Sequence, residues 1–287
     1  METPNTAASS RVWFITGASR GLGRAFTEAA LDAGDRVVGT ARDISPLDEL
    51  AARHPGRLLA LRLDVTDRQA VFDVVGEAAA HFGRLDIVVN NAGALFAGMV
   101  EEFTEEQARA QLDVNFFGPL WVGQAVLPQL RAQGSGHIVQ ISSIGALGGF
   151  PSTGLYSASK FALEGMSEAL AAEAARFGVR VTIVQPGGYW TDLYANTTAT
   201  RPDPHYDELR AELEKQWAEG SVDSEPRLAA EALMKLVASE DPPLRLLLGS
   251  MVYDVAFAIS RQRMETWAGW ESVSRAAERA VPGPRSQ

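Results

Sequence analysis

What most restricts the fold of this chain is a regular alternation of short β-branched runs with longer helical stretches. Residues 12–16, 36–40, 58–63, 87–90, 137–141, 181–185 and 244–248 read as strands, being rich in Val, Ile, Leu and Thr. Between them, residues 22–33, 68–81, 105–130, 156–176 and 227–239 carry apolar residues at helical spacing. Strand–helix–strand repetition requires crossover connections, so the pattern predicts an α/β fold, a single doubly wound parallel sheet of seven strands with helices on both faces. A chain of 287 residues can hold one such domain, expected here over residues 11–287. The first ten residues, METPNTAASS, lack the apolar core of a signal peptide and read as a disordered lead-in. The rhythm breaks between Gly187 and Pro226, where a Pro/Asp/Thr-rich stretch precedes an amphipathic segment at 207–219. An insertion of this kind before the last strand predicts a lid over a site, at about residues 188–225.

Composition removes several function classes. A formal net charge of -10 argues against nucleic acid and against an anionic membrane surface as partners. With no cysteine there is neither a thiol nucleophile nor a cysteine-ligated metal. His54, His81, His137 and His205 show no metal-ligand spacing, so no metal is expected. The longest stretch without Asp, Glu, Lys or Arg, residues 132–159, is full of Gly and Ser and contains Pro151, which excludes it as a membrane span. A cytoplasmic protein is expected.

The first strand runs into Gly17-Ala18-Ser19-Arg20-Gly21-Leu22-Gly23 and then into a helix. Glycines at a strand–helix junction let the backbone turn sharply and approach a diphosphate, and the helix N-terminus offers unpaired N–H groups to the anion. Preceded by Thr16, this loop reads TGASRGLG and resembles the short-chain dehydrogenase/reductase family, a Rossmann-fold family. The same likeness continues in order through Leu63-Asp64-Val65, Asn90-Asn91-Ala92-Gly93, Asn115, Ile141-Ser142-Ser143, Tyr156-Ser157-Ala158-Ser159-Lys160 and Pro186-Gly187. It implies a nicotinamide cofactor held by Gly17, Ser19, Arg20, Gly21, Leu22 and Gly23. Asp64 and Val65 would flank the adenine ring, and Asn90, Asn91, Ala92 and Gly93 would line the nucleotide cleft. Pro186, Gly187 and Thr191 would stand at the nicotinamide.

Tyr156 and Lys160 are four residues apart, so on a helix they share one face. A free tyrosine, with a pKa near ~10, is a poor acid–base at neutral pH. A neighbouring ammonium favours the phenolate and brings the group toward the operating pH. Ser143 follows a strand on the side where doubly wound sheets bind ligands, and its hydroxyl can stabilise an oxygen that gains negative charge. Ser142 would point the other way under strand alternation and reads as structural. The family's Ser-to-Tyr spacing also selects Ser143, and the resemblance implies that Asn115 holds a water linking Lys160 to solvent. Asn115, Ser143, Tyr156 and Lys160 are therefore the expected catalytic set.

The second strand ends in Thr40-Ala41-Arg42-Asp43. Aligned with the family, Ala41 stands where an NAD enzyme carries an acid, while Arg42 and Arg20 suit a 2′-phosphate, so NADP(H) is the expected cofactor. Asp43 is the counter-candidate, a ribose ligand or a helix cap. The expected reaction interconverts a ketone or aldehyde and an alcohol; a non-catalytic NADP(H)-binding regulator and an epimerase or lyase are the alternatives on this fold. Leu95, Phe96, the 144–155 loop, Tyr189, Trp190 and Tyr194 are expected at the substrate, which predicts an apolar, ring-containing ketone or secondary alcohol. Trp267 and Trp270 read either as pocket or as core. Phe116, Phe117 and Trp121, with the small residues Ala158 and Ala162, predict a homodimer or homotetramer.

Overall fold

In the computed structural model, residues 10–191, 193, 196–220 and 223–279 are described. Nearly all of the expected lead-in, Tyr194 and parts of the expected lid lie outside the described residues. The strands are β1 (Val12–Thr16), β2 (Arg36–Ala41), β3 (Leu58–Arg62), β4 (Ile87–Asn90), β5 (Phe96–Ala97), β6 (Gly136–Ile141), β7 (Val179–Pro186), β8 (Thr198–Ala199) and β9 (Arg245–Leu248). Seven of them form one parallel sheet in the order β3-β2-β1-β4-β6-β7-β9. The chain starts at the centre, winds outward to β3, then returns to β4 on the other side of β1. In doubly wound sheets ligands bind at such a switch, outside the carboxyl ends of the strands.

The helices are α1 (Gly21–Asp32), α2 (Asp48–Arg53), α3 (Arg68–Phe82), α4 (Glu105–Leu112), α5 (Gly118–Gln133), α6 (Gly154–Ala174), α7 (Asp207–Gly220), α8 (Pro226–Ala238), α9 (Ser250–Gly269) and α10 (Glu271–Ala276). Two apolar cores sandwich the sheet. Trp13 and Ile15 of β1 face α1, α2 and α8 through Phe26, Leu31, Leu50 and Leu233. Val12 and Phe14 face α3 and α5 through Val71, Val75, Val122 and Leu130. The four apolar side chains of β1 are fully buried, as expected of a parallel strand covered on both faces. Burying each such side chain contributes about 1.5–3 kcal/mol, and successive side chains must serve opposite faces.

Three features differ from the sequence pattern. The helix expected over 105–130 is interrupted by a π-turn, Asp113–Phe117. Pro119 explains it, for it has no N–H to give the Asn115 carbonyl four residues back, and its ring crowds that turn. Second, α2 forms on a short Asp-Glu-Leu-Ala-Ala-Arg segment, where only Leu50 is buried. Third, β5 and β8 pair in parallel as a separate two-stranded sheet, fixing part of the inserted segment to the chain that follows β4. Glu102 reinforces the join. Its carboxylate accepts from the Asp203 N–H at 2.8 Å, the Thr200 hydroxyl at 2.7 Å, the Met99 N–H at 2.8 Å and Arg210. Burial alone would raise this carboxyl, but those hydrogen bonds outweigh it and bring the pKa down to about 2.

Candidate active site

The glycine loop lies at the carboxyl end of β1 and is held from within the protein. The buried Thr16 hydroxyl accepts from the N–H groups of Asn91 and Ala92, both at 3.0 Å. The Asn91 side-chain amide donates to the Thr16 and Gly17 carbonyls at 2.9 and 3.2 Å. Gly17 sits at a φ of +67°, where a side chain would be strained. Gly23 is packed so closely that a Cβ there would lie 2.2 Å from the Gly17 carbonyl oxygen and 2.4 Å from Asn91 Nδ2. Helix α1 then begins at Gly21 with no side-chain cap, leaving its first N–H groups to an outside acceptor. Thr191, distant in sequence, arrives at this loop, its Cβ 3.2 Å from where a Cβ on Gly21 would stand.

Ser19 and Leu22 are half-buried along the loop, whereas Arg20 and Arg42 are exposed, and among the described residues neither forms an ion pair. Asp43 is turned to its own chain, where its carboxylate accepts from the Ser45 N–H at 3.0 Å and hydroxyl at 2.8 Å, bonds that lower its pKa. Ser45 is the first residue of the turn Ser45–Leu47. Asp64 does likewise with the Thr66 N–H and hydroxyl, and it remains exposed. Val65 is buried, packed where a Cβ on Gly118 would stand 2.8 Å from its Cγ2. Pro186 ends β7, and a Cβ on Gly187 would lie 2.8 Å from Val252 of α9.

Further along the carboxyl edge of the sheet, β6 ends at Ile141 and α6 presents Tyr156 and Lys160. The Ser143 oxygen accepts from the Gly145 N–H at 3.0 Å. Gly145 lies between two of the expected residues: a Cβ there would meet the Tyr156 ring at 3.1 Å and Ser143 Oγ at 3.5 Å. Lys160 Nζ stands 5.7 Å from the Tyr156 ring centroid and donates to the Ile141 carbonyl at 2.8 Å. Burial lowers the Lys160 pKa to about 8, with the Glu164 carboxylate opposing the shift. The Ser142 hydroxyl donates to Glu164 at 2.5 Å.

Asn115 is buried in the π-turn and braces two segments. Its Oδ1 accepts from the Ala94 N–H at 2.9 Å, while Nδ2 donates to the Ala94 carbonyl at 3.0 Å and to Ser159 Oγ at 3.1 Å. Ser159 in turn donates to the Tyr156 carbonyl at 2.7 Å. A Cβ on the exposed Gly93 would stand 3.5 Å from Asn115 Oδ1 and 3.9 Å from Lys160 Nζ, so the two polar groups border one space.

Of the residues expected at the substrate, Leu95 and Tyr189 are buried, and burial raises the Tyr189 phenol. Tyr189 joins the core on the α1 and α8 face. Trp190 is 69% exposed. Trp267 and Trp270 are 67% and 62% exposed, so neither is core. The 144–155 loop is tied to α9 by Arg263, which donates to the Leu147 carbonyl at 2.6 Å. Two buried carboxylates, Glu102 and Glu164, were not among the expected site residues. Glu164 carried a signal, being one helical turn beyond Lys160 on the same face. Among the described residues no cluster of three His, Asp or Glu could hold a metal, and no helix is long and apolar enough to cross a membrane.

A family model for short chain dehydrogenases matches residues 11–202. Oxidoreductase BOA17 of Botryotinia fuckeliana is 38% identical over 272 residues, which span 93% of this chain and 99% of that protein. The chain belongs to the short-chain dehydrogenase family. Among solved structures, a short-chain dehydrogenase from Streptomyces avermitilis is 40% identical with a TM-score of 0.88, over 95% of this dehydrogenase and all (100%) of that chain. One from Burkholderia cenocepacia, solved in complex with NADP, is 28% identical with a TM-score of 0.73, over 90% and 96% of the two chains. This dehydrogenase is therefore an enzyme, an oxidoreductase on a Rossmann-type parallel sheet.

Proposed function

We propose that this dehydrogenase interconverts a ketone or aldehyde and the corresponding alcohol with NADP(H), Tyr156 acting as general acid–base. The observation that carries the proposal is the meeting of the Tyr156 ring, the Ser143 hydroxyl and the buried Lys160 ammonium at the carboxyl end of β6. When bound, NADP(H) supplies the hydride chemistry. In the reductive direction the Tyr156 hydroxyl gives its proton to the carbonyl oxygen. Ser143 already accepts from the Gly145 N–H, so its own O–H is left to donate to that same oxygen as charge develops. Lys160, held by the Ile141 carbonyl, favours the phenolate that remains. Asn115 keeps Ala94 and Ser159 in place, and both of its amide hydrogens are engaged there. A relay water would therefore be taken by one of its oxygens.

The cofactor fits the residues present. At Gly17 and Gly23 the loop is packed too closely on Asn91, Ala92 and its own backbone to admit a Cβ, which keeps its backbone bare, and the α1 N-terminus is uncapped. Arg20 and Arg42 stand ready for a 2′-phosphate, while Asp43 is engaged by Ser45, which favours the NADP(H) reading over a ribose-binding acid. The neighbour solved with NADP supports the same choice. The segment 188–225 serves as substrate lid of one domain beginning at residue 11, anchored where β8 pairs with β5. Leu95 and Phe96 beside that anchor suit an apolar, ring-containing substrate. Tyr156→Phe keeps the ring but removes the transferable proton, so NADPH-dependent ketone reduction falls roughly a hundredfold or more while NADPH binding, followed by fluorescence titration, stays near normal. Near-normal turnover in that variant overturns the mechanism.

A further inference from the structure

Glu164 is 6% exposed, one turn of α6 beyond Lys160, and three strands outside its own helix reach its carboxylate. From the end of β6, Ser142 donates to Oε1 at 2.5 Å. From β7, Gln185 donates to the same oxygen at 2.8 Å. From β9, Arg245 donates to Oε2 at 3.1 Å and also pairs with Glu168. Ser142 is the chain neighbour of Ser143, and Gln185 precedes Pro186. The carboxylate thus joins the helix that carries Tyr156 and Lys160 to the two strand ends that border them. An acid this buried is uncommon where an apolar residue would fill the space, and its bonds run to strand ends that flank the site.

We propose that Glu164 is the positioning residue of this site, clamping the ends of β6 and β7 onto α6 and sustaining the positive charge of Lys160 beneath Tyr156. This rests on the reading of Tyr156 and Lys160 as the acid–base pair. Among the described residues, the charged groups that face Glu164 are Lys160 and Glu168 on its own helix and Arg245 on β9; β6 and β7 contribute the uncharged Ser142 and Gln185. The two halves of the proposal separate on substitution. Glu164→Gln nearly keeps the shape but loses the charge, so Lys160 gives up its proton at lower pH. Arg245→Met removes the cation that offsets the Glu164 carboxylate, so Lys160 keeps its proton to higher pH.

The test is the pH profile of kcat/KM, which reports groups of the free enzyme. NADPH is the reductant, and the ketone is whichever of acetophenone, cyclohexanone and 2-decanone is reduced fastest. Relative to the parent, the alkaline limb is expected to move down by about one pH unit in Glu164→Gln and up in Arg245→Met. Melting temperatures are taken alongside. A purely structural brace lowers both melting temperatures and leaves the limb in place, or moves it the same way in both, and either result overturns the proposal. Should Glu164→Gln not fold, Arg245→Met decides by itself, because its side chain is partly exposed and its limb must rise. Tyr156→Phe run beside them keeps the premises apart. If it stays active, or no ketone is reduced, the acid–base reading has failed; if it is inactive and the limbs coincide, only the role of Glu164 has.

Discussion

Replacing Gly23 by alanine adds one methyl group at the tightest point of the cofactor loop. That carbon would lie 2.2 Å from the Gly17 carbonyl oxygen and 2.4 Å from Asn91 Nδ2. Neither partner is the loose end of a flexible side chain. The first is backbone, and the second is held by the Thr16 and Gly17 carbonyls at 2.9 and 3.2 Å. The loop must therefore open by about an ångström, at an overpacking cost of about 1–3 kcal/mol. One or both Asn91 hydrogen bonds stretch with it, each contributing about 0.5–1.5 kcal/mol. Together these give about 1.5–6 kcal/mol, and at roughly 2–4 °C per kcal/mol for a chain of this size, a melting temperature lower by roughly 3–24 °C. NADPH binding weakens in the same variant, because the displaced backbone is the cradle. The comparison is Gly76→Ala, exposed within α3 with nothing within 4 Å of the added carbon. There alanine stabilises by about 0.5–1 kcal/mol through helix propensity. Differential scanning calorimetry reads both. A Gly23→Ala protein melting within a degree of the parent would refute the reasoning, as would a Gly76→Ala protein destabilised to the same extent.

Three further outcomes are expected. Arg42→Ala and Arg20→Ala each raise the KM for NADPH about tenfold or more, the value of one charge-assisted hydrogen bond, and leave NADH kinetics unchanged; an unaltered NADPH KM exonerates the residue. Glu102, held at about 2 when folded against about 4.5 when free, contributes stability that is fully present above pH 4.5 and lost as pH falls toward 2. Glu102→Gln is therefore less stable to urea than the parent at pH 7, and the gap narrows across that window; a gap independent of pH would count against the hydrogen-bonded carboxylate. Finally, Phe117 at the end of the π-turn, 36% exposed, and Phe161 and Ala158 on α6, the former 40% exposed, leave an apolar surface that suits self-pairing about a two-fold axis. Sedimentation at micromolar concentration is expected to show a dimer or tetramer, and a monomer alone would contradict it.

Much of this protein is legible in its sequence. The strand–helix rhythm predicted a seven-stranded parallel sheet, and each of the seven expected strands overlaps a strand of that sheet. Those signals are local, because β-branching, helical period and glycine at a junction act within a few residues of chain. Ser142 and Ser143, which strand alternation sets on opposite sides, take different partners, Glu164 and the Gly145 N–H. Other features were invisible. A single proline converts one long helical pattern into α4, a π-turn and α5, and Asn115 becomes a brace between Ala94 and Ser159. Thr191 meets Gly21, β8 finds β5, and Glu164 gathers Ser142, Gln185 and Arg245, each across a long stretch of sequence. Trp267 and Trp270 carry a helical pattern that reads as pocket or as core, and both are exposed. Local pattern determines which elements form and which of their faces are apolar. Which side chains then meet depends on strand order, register and the direction of each helix across the sheet, and those are decided only when the whole chain closes on its two cores.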